Sequence, residues 1–212
     1  MSLDANEINK ALRHLRRADL VMGDLIKRAG KFSLKLRRDR FGTLVGSIIS
    51  QQISTAAARS IRRKLENLVS PGKITAQKLA LLSSQQLRSA GVSPQKAGYI
   101  TDLTEKVQSR QIRLSQVGRW SDERVIEELV QVKGIGRWTA QMFLIFSLGR
   151  LDVFPHDDLG VRSAIRDLYQ LKDLPDKEQS LKIAAPWHPY ASVASWYCWR
   201  SRDIDSAGSR KN

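Results

Sequence analysis

Two neighbouring carboxylates, Asp157 and Asp158, follow a Phe154-Pro155 turn and precede an apolar helical pattern. A carboxylate at the start of a helix can cap it, or it can stabilise positive charge in a reaction. Upstream, Gly134-Ile135-Gly136 sits between two apolar helical patterns. A glycine hairpin lets backbone N–H groups approach a phosphate, because glycine lacks Cβ and tolerates positive φ. The stretch 129–158 thus joins a segment suited to holding a phosphodiester with one suited to acting near it. The residues alone leave open which of the two carboxylates caps the helix and which is available for chemistry.

The elements that must position these residues are helical. A pattern over 4–17 carries Ile8, Ala11, Leu12 and Leu15 on one stripe, with Asp4 as N-cap. A weaker pattern over 18–28 ends near Gly30, and the basic segment 31–40 reads as a connector. Residues 41–53 suit a buried helix, and Ser54 caps the next, from Thr55 to Val69. Pro71-Gly72 breaks the chain, and 75–90 holds two short helical patterns. Ser93 and Pro94 start a helix running to about Arg110. Ser121 and Asp122 start another, which enters the glycine hairpin. Residues 137–148 read as one apolar helix. A helix follows Asp158 to about Tyr169, and a short one follows Pro175. The last begins near Trp187 and ends near Arg202, leaving a polar tail expected to fray. No alternating strand pattern of useful length occurs, so the expected class is all-α.

The partner is indicated by charge. The 212 residues carry 36 Lys and Arg against 21 Asp and Glu, a net charge of +15. That excess on a globular domain points to a polyanion, nucleic acid before membrane. One cysteine, Cys198, excludes an internal disulfide, a four-cysteine iron–sulfur cluster and a cysteine-based zinc site. No apolar run is long enough to span a membrane, and the first residues lack a signal core. The expected place is the cytoplasm, associated with the nucleoid, or the nucleus.

Gln51 and Gln52 fall at a helix–helix junction, where they form either a surface turn or a wedge that fills the space left by an extruded base. Trp187, Tyr190, Trp196, Tyr197 and Trp199 fall within thirteen residues. Core packing accounts for Trp187 and Trp199; aromatic rings also stack on bases and attract cationic ones.

Residues 129–158, with GIGRWTAQMF and DVFPHDDLG, resemble the helix-hairpin-helix DNA glycosylase superfamily, nearest its 3-methyladenine DNA glycosylase II branch. SIISQQIS at 47–54, GVSPQKAGYI at 91–100 and WHPYASVASWYCW at 187–199 extend the resemblance from about residue 10 to 202. It implies two helical subdomains with a DNA- and base-binding cleft between them. One would comprise about 1–39 plus 151–205. The other would comprise about 40–150, with the hairpin at 129–142, leaving 206–212 as a disordered tail. Asp158 matches the catalytic aspartate, which leaves Asp157 as the candidate helix cap. Gly134 and Gly136 match the phosphate-gripping glycines, flanked by Lys133 and Arg137 as further DNA contacts. Gln52, with Gln51 beside it, falls at the wedge. Trp138, Met142, Trp196 and Tyr197 fall at the base pocket. The carbonyls of Val130, Val132 and Ile135 match those that hold Na⁺ or K⁺; no cofactor is otherwise implied, and no iron–sulfur cluster.

Relatives that also cut the backbone carry a lysine two residues after the second hairpin glycine, where this chain has Trp138. An indole is no amine nucleophile. The resemblance therefore implies a monomeric, monofunctional enzyme that everts a damaged base from duplex DNA and leaves an abasic site. Lys133 stands where proline is usual, and Met142 where a pocket tyrosine is. Alkylated purines are the first expectation. Uracil or another deaminated base is the second, and a non-catalytic DNA-binding hairpin module the third.

Overall fold

The computed structural model describes residues 3–208, and among these every regular element is helical. Helices α1 (Ala5–Ala18) and α2 (Leu20–Ala29) come first. Next are α3 (Arg40–Ser50), α4 (Thr55–Leu68), α5 (Ala76–Leu79), α6 (Ser84–Ser89), α7 (Pro94–Gln108), α8 (Asp122–Leu129) and α9 (Arg137–Phe143). The chain closes with α10 (Leu159–Leu168), α11 (Lys177–Ala184) and α12 (Ala191–Gly208). No helix among the described residues is long and apolar enough to cross a membrane. The chain divides into two compact units, 1–36 with 149–212 and 37–148.

In the first unit α1 packs on α2, and both α2 and α10 pack on α12. Leu15, Met22, Leu25, Ile26, Val161, Ile165, Trp187, Val193 and Tyr197 fill its core. Burying each such aliphatic chain stabilises the fold by about 1.5–3 kcal/mol. A polar staple crosses the unit. Asp19 caps α2 by accepting from the Met22 N–H at 3.0 Å. Its Oδ2 also accepts from the Trp187 indole at 2.9 Å and from the Tyr169 hydroxyl. Burial, then the bond to Asp19, raises the Tyr169 phenol far above its usual range, so it stays a donor.

In the second unit α3 packs on α4, α7 and α9, while α5 and α6 cover α7 and α8 lies on α9. Leu44, Ile48, Leu65, Ile100, Leu103, Leu129, Phe143 and Leu144 are buried in it. The expected caps at Asp4, Ser54 and Ser93 all accept from N–H groups in the first turn of their helices.

Two expectations require correction. Residues 137–148 are not one α-helix: α9 ends at Phe143, and 144–148 form a wider π turn. The connector before α3 takes over part of its bonding: the Arg37 N–H donates to the Phe146 carbonyl at 2.8 Å. The Ser147 hydroxyl donates back to the Arg37 carbonyl, also at 2.8 Å. The last helix also runs past Arg202 to Gly208. Of the expected tail, 209–212 lie outside the described residues.

Candidate active site

Asp158 is built into the first unit by its own helix. The Phe154-Pro155 turn is closed by the Asp158 N–H donating to the Pro155 carbonyl at 2.9 Å. Asp158 is then the N-cap of α10, with Oδ1 accepting from the Val161 N–H at 2.8 Å. The Trp199 indole N–H, from α12, donates to the same Oδ1 at 2.8 Å. Asp158 is 8% exposed, so both donors act on it with little competition from water. Gly160 makes the convergence fit: a Cβ there would lie 3.0 Å from Asp158 Oδ1 and 3.1 Å from the Trp199 ring.

This reverses one expectation and corrects another. Asp157 is not the cap; it is exposed, with Oδ1 2.9 Å from His156 Nδ1 but without hydrogen-bond alignment. The Pro155 turn sets the helix register so that Asp158 reaches the N–H three residues on. Trp199 is not merely core: it is a direct hydrogen-bond partner of Asp158. No local signal links two residues forty-one positions apart.

The other aromatics of α12 divide by face. Tyr197 is fully buried, with its hydroxyl donating to the Gly30 carbonyl at 2.9 Å. It is a core residue and not part of a base-pocket wall, contrary to expectation. Trp196 is half-buried and edge-on to Phe32, with ring centroids 4.8 Å apart. Cys198 is wholly enclosed; burial first, then Asp19 and Asp158, raise its thiol far above the usual range and remove it as a nucleophile.

The second unit carries the hairpin and the glutamines. The Ile135 N–H donates to the Val132 carbonyl at 3.0 Å, closing the turn between α8 and α9. Gly134 has φ +81°, and a Cβ there would meet the Tyr99 ring at 2.1 Å. Only glycine fits that position. Gly136 begins α9 with no side-chain cap, and a Cβ there would meet only open space. The Lys133 N–H donates to Asp102 Oδ2 at 2.9 Å, while its side chain is exposed. Desolvation raises the Asp102 pKa, but the Lys106 ammonium and the Lys133 N–H outweigh it, and the net shift is downward.

The two glutamines differ in role. The Gln51 amide donates to the Gly134 carbonyl at 2.8 Å, so it ties the junction to the hairpin. Gln52 is exposed and held at φ +55°. For a non-glycine residue that conformation costs about 1–2 kcal/mol, and it persists only where neighbours enforce it. Arg137, an expected DNA contact, pairs with Glu123 through both terminal nitrogens, one at 3.0 Å. Trp138 is 44% exposed and Met142 half-buried, both on α9. The carbonyls of Val130 and Ile135 lie in the same turn as that of Val132.

Missed in the sequence were Lys96, Tyr99 and Asp102, which line one face of α7 against the α3–α4 junction and the hairpin. Their three-residue spacing was the signal.

Comparison with known proteins agrees with this geometry. Residues 45–189 match the HhH-GPD superfamily of base excision DNA repair proteins. The chain is 32% identical to DNA-3-methyladenine glycosylase 1 of Schizosaccharomyces pombe, covering 96% of this chain and 95% of that one. It is 30% identical to the alkylbase DNA glycosidase-like protein mag2 of the same yeast, over 98% of this chain and all of the other. Among solved structures, the S. pombe 3-methyladenine DNA glycosylase in complex with abasic DNA superposes with a TM-score of 0.83 at 32% identity. It covers 92% of this chain and 97% of that one. A DNA-3-methyladenine glycosidase from Bacillus halodurans gives 0.82 at 35% identity, over 90% and 88%. With an all-helical fold among the described residues, a glycine hairpin before α9 and an aspartate capping α10, the chain belongs to the HhH-GPD superfamily of base excision DNA repair proteins.

Proposed function

We propose that this protein is a DNA glycosylase that hydrolyses the N-glycosidic bond of alkylated purines in duplex DNA. The observation that carries the proposal is Asp158, held at the N-terminus of α10 by convergent N–H donors from Val161 and Trp199. The relatives named as 3-methyladenine glycosylases supply the substrate class.

The second unit provides the grip. The hairpin, with Gly134 packed on Tyr99 and open space beside Gly136, leaves room for a phosphate, with Lys133 adding charge. Gln52 is the wedge, and its insertion offsets part of the ~few kcal/mol of unstacking. The neutral oxygen set at Val130, Val132 and Ile135 fits Na⁺ or K⁺. Val132 still has a second lone pair beyond the bond from Ile135. When bound, such an ion neutralises phosphate charge beside the hairpin.

Chemistry falls to the first unit. As the glycosidic bond breaks, its electron pair leaves with the base and positive charge develops on the sugar. The Asp158 carboxylate stabilises that charge. Water then adds to the sugar carbon and gives up a proton to the carboxylate or solvent, leaving an abasic site. An N-alkylated purine is already cationic and departs neutral, so no general acid is needed. Trp138 in place of an amine makes the enzyme monofunctional. It acts as a single chain on DNA in the nucleoid or nucleus.

The test is Asp158→Asn, with binding and base release measured together on duplexes carrying 7-methylguanine, 3-methyladenine or uracil. Asparagine keeps the cap, so the variant binds duplex while release falls by at least about a hundredfold. Release at the wild-type rate would end the assignment, and release of uracil alone would move the substrate class.

A further inference from the structure

The end of α3 is unusual in how its carbonyls are satisfied. The last carbonyls of a helix have no partner within it, and they carry its negative pole. Here an ammonium from another helix answers them. Lys96 Nζ on α7 donates to the Ile49 carbonyl at 2.8 Å and to the Gln51 carbonyl at 2.6 Å. Lys96 is half-buried, at a desolvation cost that lowers its pKa, and the two carbonyls hold its ammonium inward.

What those carbonyls flank is Gln52, in its left-handed conformation. The Gln51 carbonyl belongs to the peptide that enters Gln52. The Gln51 side chain donates to Gly134 of the hairpin. One turn along α7, the Tyr99 ring lies beneath Gly134; a turn further, Asp102 holds the Lys133 N–H. A single helix face thus holds the wedge junction at one end and the phosphate hairpin at the other, and Lys96 is its contact with the wedge.

We propose that Lys96 is a positioning residue for base eversion, its ammonium fixing the Ile49 and Gln51 carbonyls so that Gln52 is presented in a left-handed backbone ready to enter the stack. The inference rests on the proposed glycosylase function and on Gln52 as the wedge. Lys96 is given no part in the chemistry at the sugar. It acts by making the strained turn the ground state of the free enzyme, so that eversion does not wait on the junction reorganising.

The experiment compares the full-length wild type with Lys96→Met, Lys96→Arg, Gln52→Ala and Lys96→Met/Gln52→Ala. Single-turnover release of 7-methylguanine is measured against enzyme concentration. Eversion is followed by 2-aminopurine fluorescence beside the lesion. Lys96→Met is expected to lower the maximal rate and the fluorescence amplitude by about tenfold, while half-saturation changes by less than about threefold, because the hairpin still holds the duplex. Lys96→Arg restores most of the rate. In the Gln52→Ala background the Lys96→Met loss shrinks to about twofold or less, as for two residues acting on one step. Should Lys96→Met not fold, Lys96→Gln carries the same comparison. A Lys96→Met rate within about twofold of wild type would overturn the inference, as would losses that multiply fully with Gln52→Ala. If wild type releases methylated purine and Lys96→Met keeps pace, only this inference falls. If wild type releases none, the proposed function falls and takes the inference with it.

Discussion

Replacing Trp199 by phenylalanine removes the indole N–H from Asp158 and keeps an aromatic ring at that place. The ring remains to pack against α10, while the indole nitrogen, 2.8 Å from Oδ1, is lost. A hydrogen bond to a charged acceptor contributes about 1.5–3 kcal/mol when its partner is shielded from water. Asp158 is 8% exposed, so it qualifies. The Val161 N–H stays on the same oxygen, so the carboxylate loses one tether and not its place in the helix. If about two-thirds of that energy holds the carboxylate in its reactive position, the barrier rises by about 1–2 kcal/mol, since 1.36 kcal/mol is a tenfold change in rate. The expected result is a five- to thirtyfold fall, by that arithmetic about tenfold, in single-turnover release of 7-methylguanine. Duplex affinity should be unchanged, because Trp199 carries none of the grip. A rate within about twofold of wild type, in a variant that melts normally, would show that the indole is packing only and that Asp158 is positioned without it.

Gly160→Ala should act on the same pair from the other side, because its Cβ would press on Asp158 Oδ1 and the Trp199 ring at once. Release should fall by about tenfold with binding intact, and a silent substitution would show that α10 yields freely. Asp102→Asn should loosen the hairpin at Lys133 and cost about 1.5–3 kcal/mol by chemical denaturation. The Asp102 pKa is lowered in the folded state, so its stabilisation is present above the ordinary carboxylate range and is lost as pH falls through the folded value. Wild type should therefore lose stability below about pH 4 more steeply than Asp102→Asn; identical pH profiles would remove Asp102 from the hairpin's support. Glu123→Gln should remove one anionic partner of Arg137 and so favour its contact with phosphate. It should tighten undamaged-duplex binding by about two- to threefold and steepen the salt dependence by about one counterion, with stability nearly unchanged because the pair is exposed. Unaltered affinity and slope would place Arg137 outside the DNA contact.

What could be read from the sequence follows the range of each interaction. The caps at Asp4, Ser54 and Ser93 were legible because a short polar side chain bonds to an N–H two or three residues away. Asp157 and Asp158 are equally good caps by type, and choosing between them needed the backbone of the Pro155 turn. Tyr197 was misread although its burial was legible: Val193, Ala194, Tyr197, Cys198 and Ser201 form one buried stripe at helical spacing. The aromatic cluster drew attention from the period. Trp199 and Lys96 belong to a different class. Their partners lie forty-one and forty-five or more positions away, and only packing brings them together. The π turn at 144–148 likewise depends on Arg37, more than a hundred residues earlier.

A catalytic group is commonly a burden on its fold, held in place against its own preference. Asp158 is the opposite, since the carboxylate that would face a sugar cation also starts α10, and α10 brings Val161 and Ile165 into the core. A lineage abandoning base release could not discard the residue freely. Alanine there would cost about 0.5–2 kcal/mol of cap as well as the chemistry, whereas asparagine or serine would keep the helix. Heredity of the fold thus protects the proposed catalyst, and an inactive descendant is expected to betray itself by a polar, uncharged residue at that position.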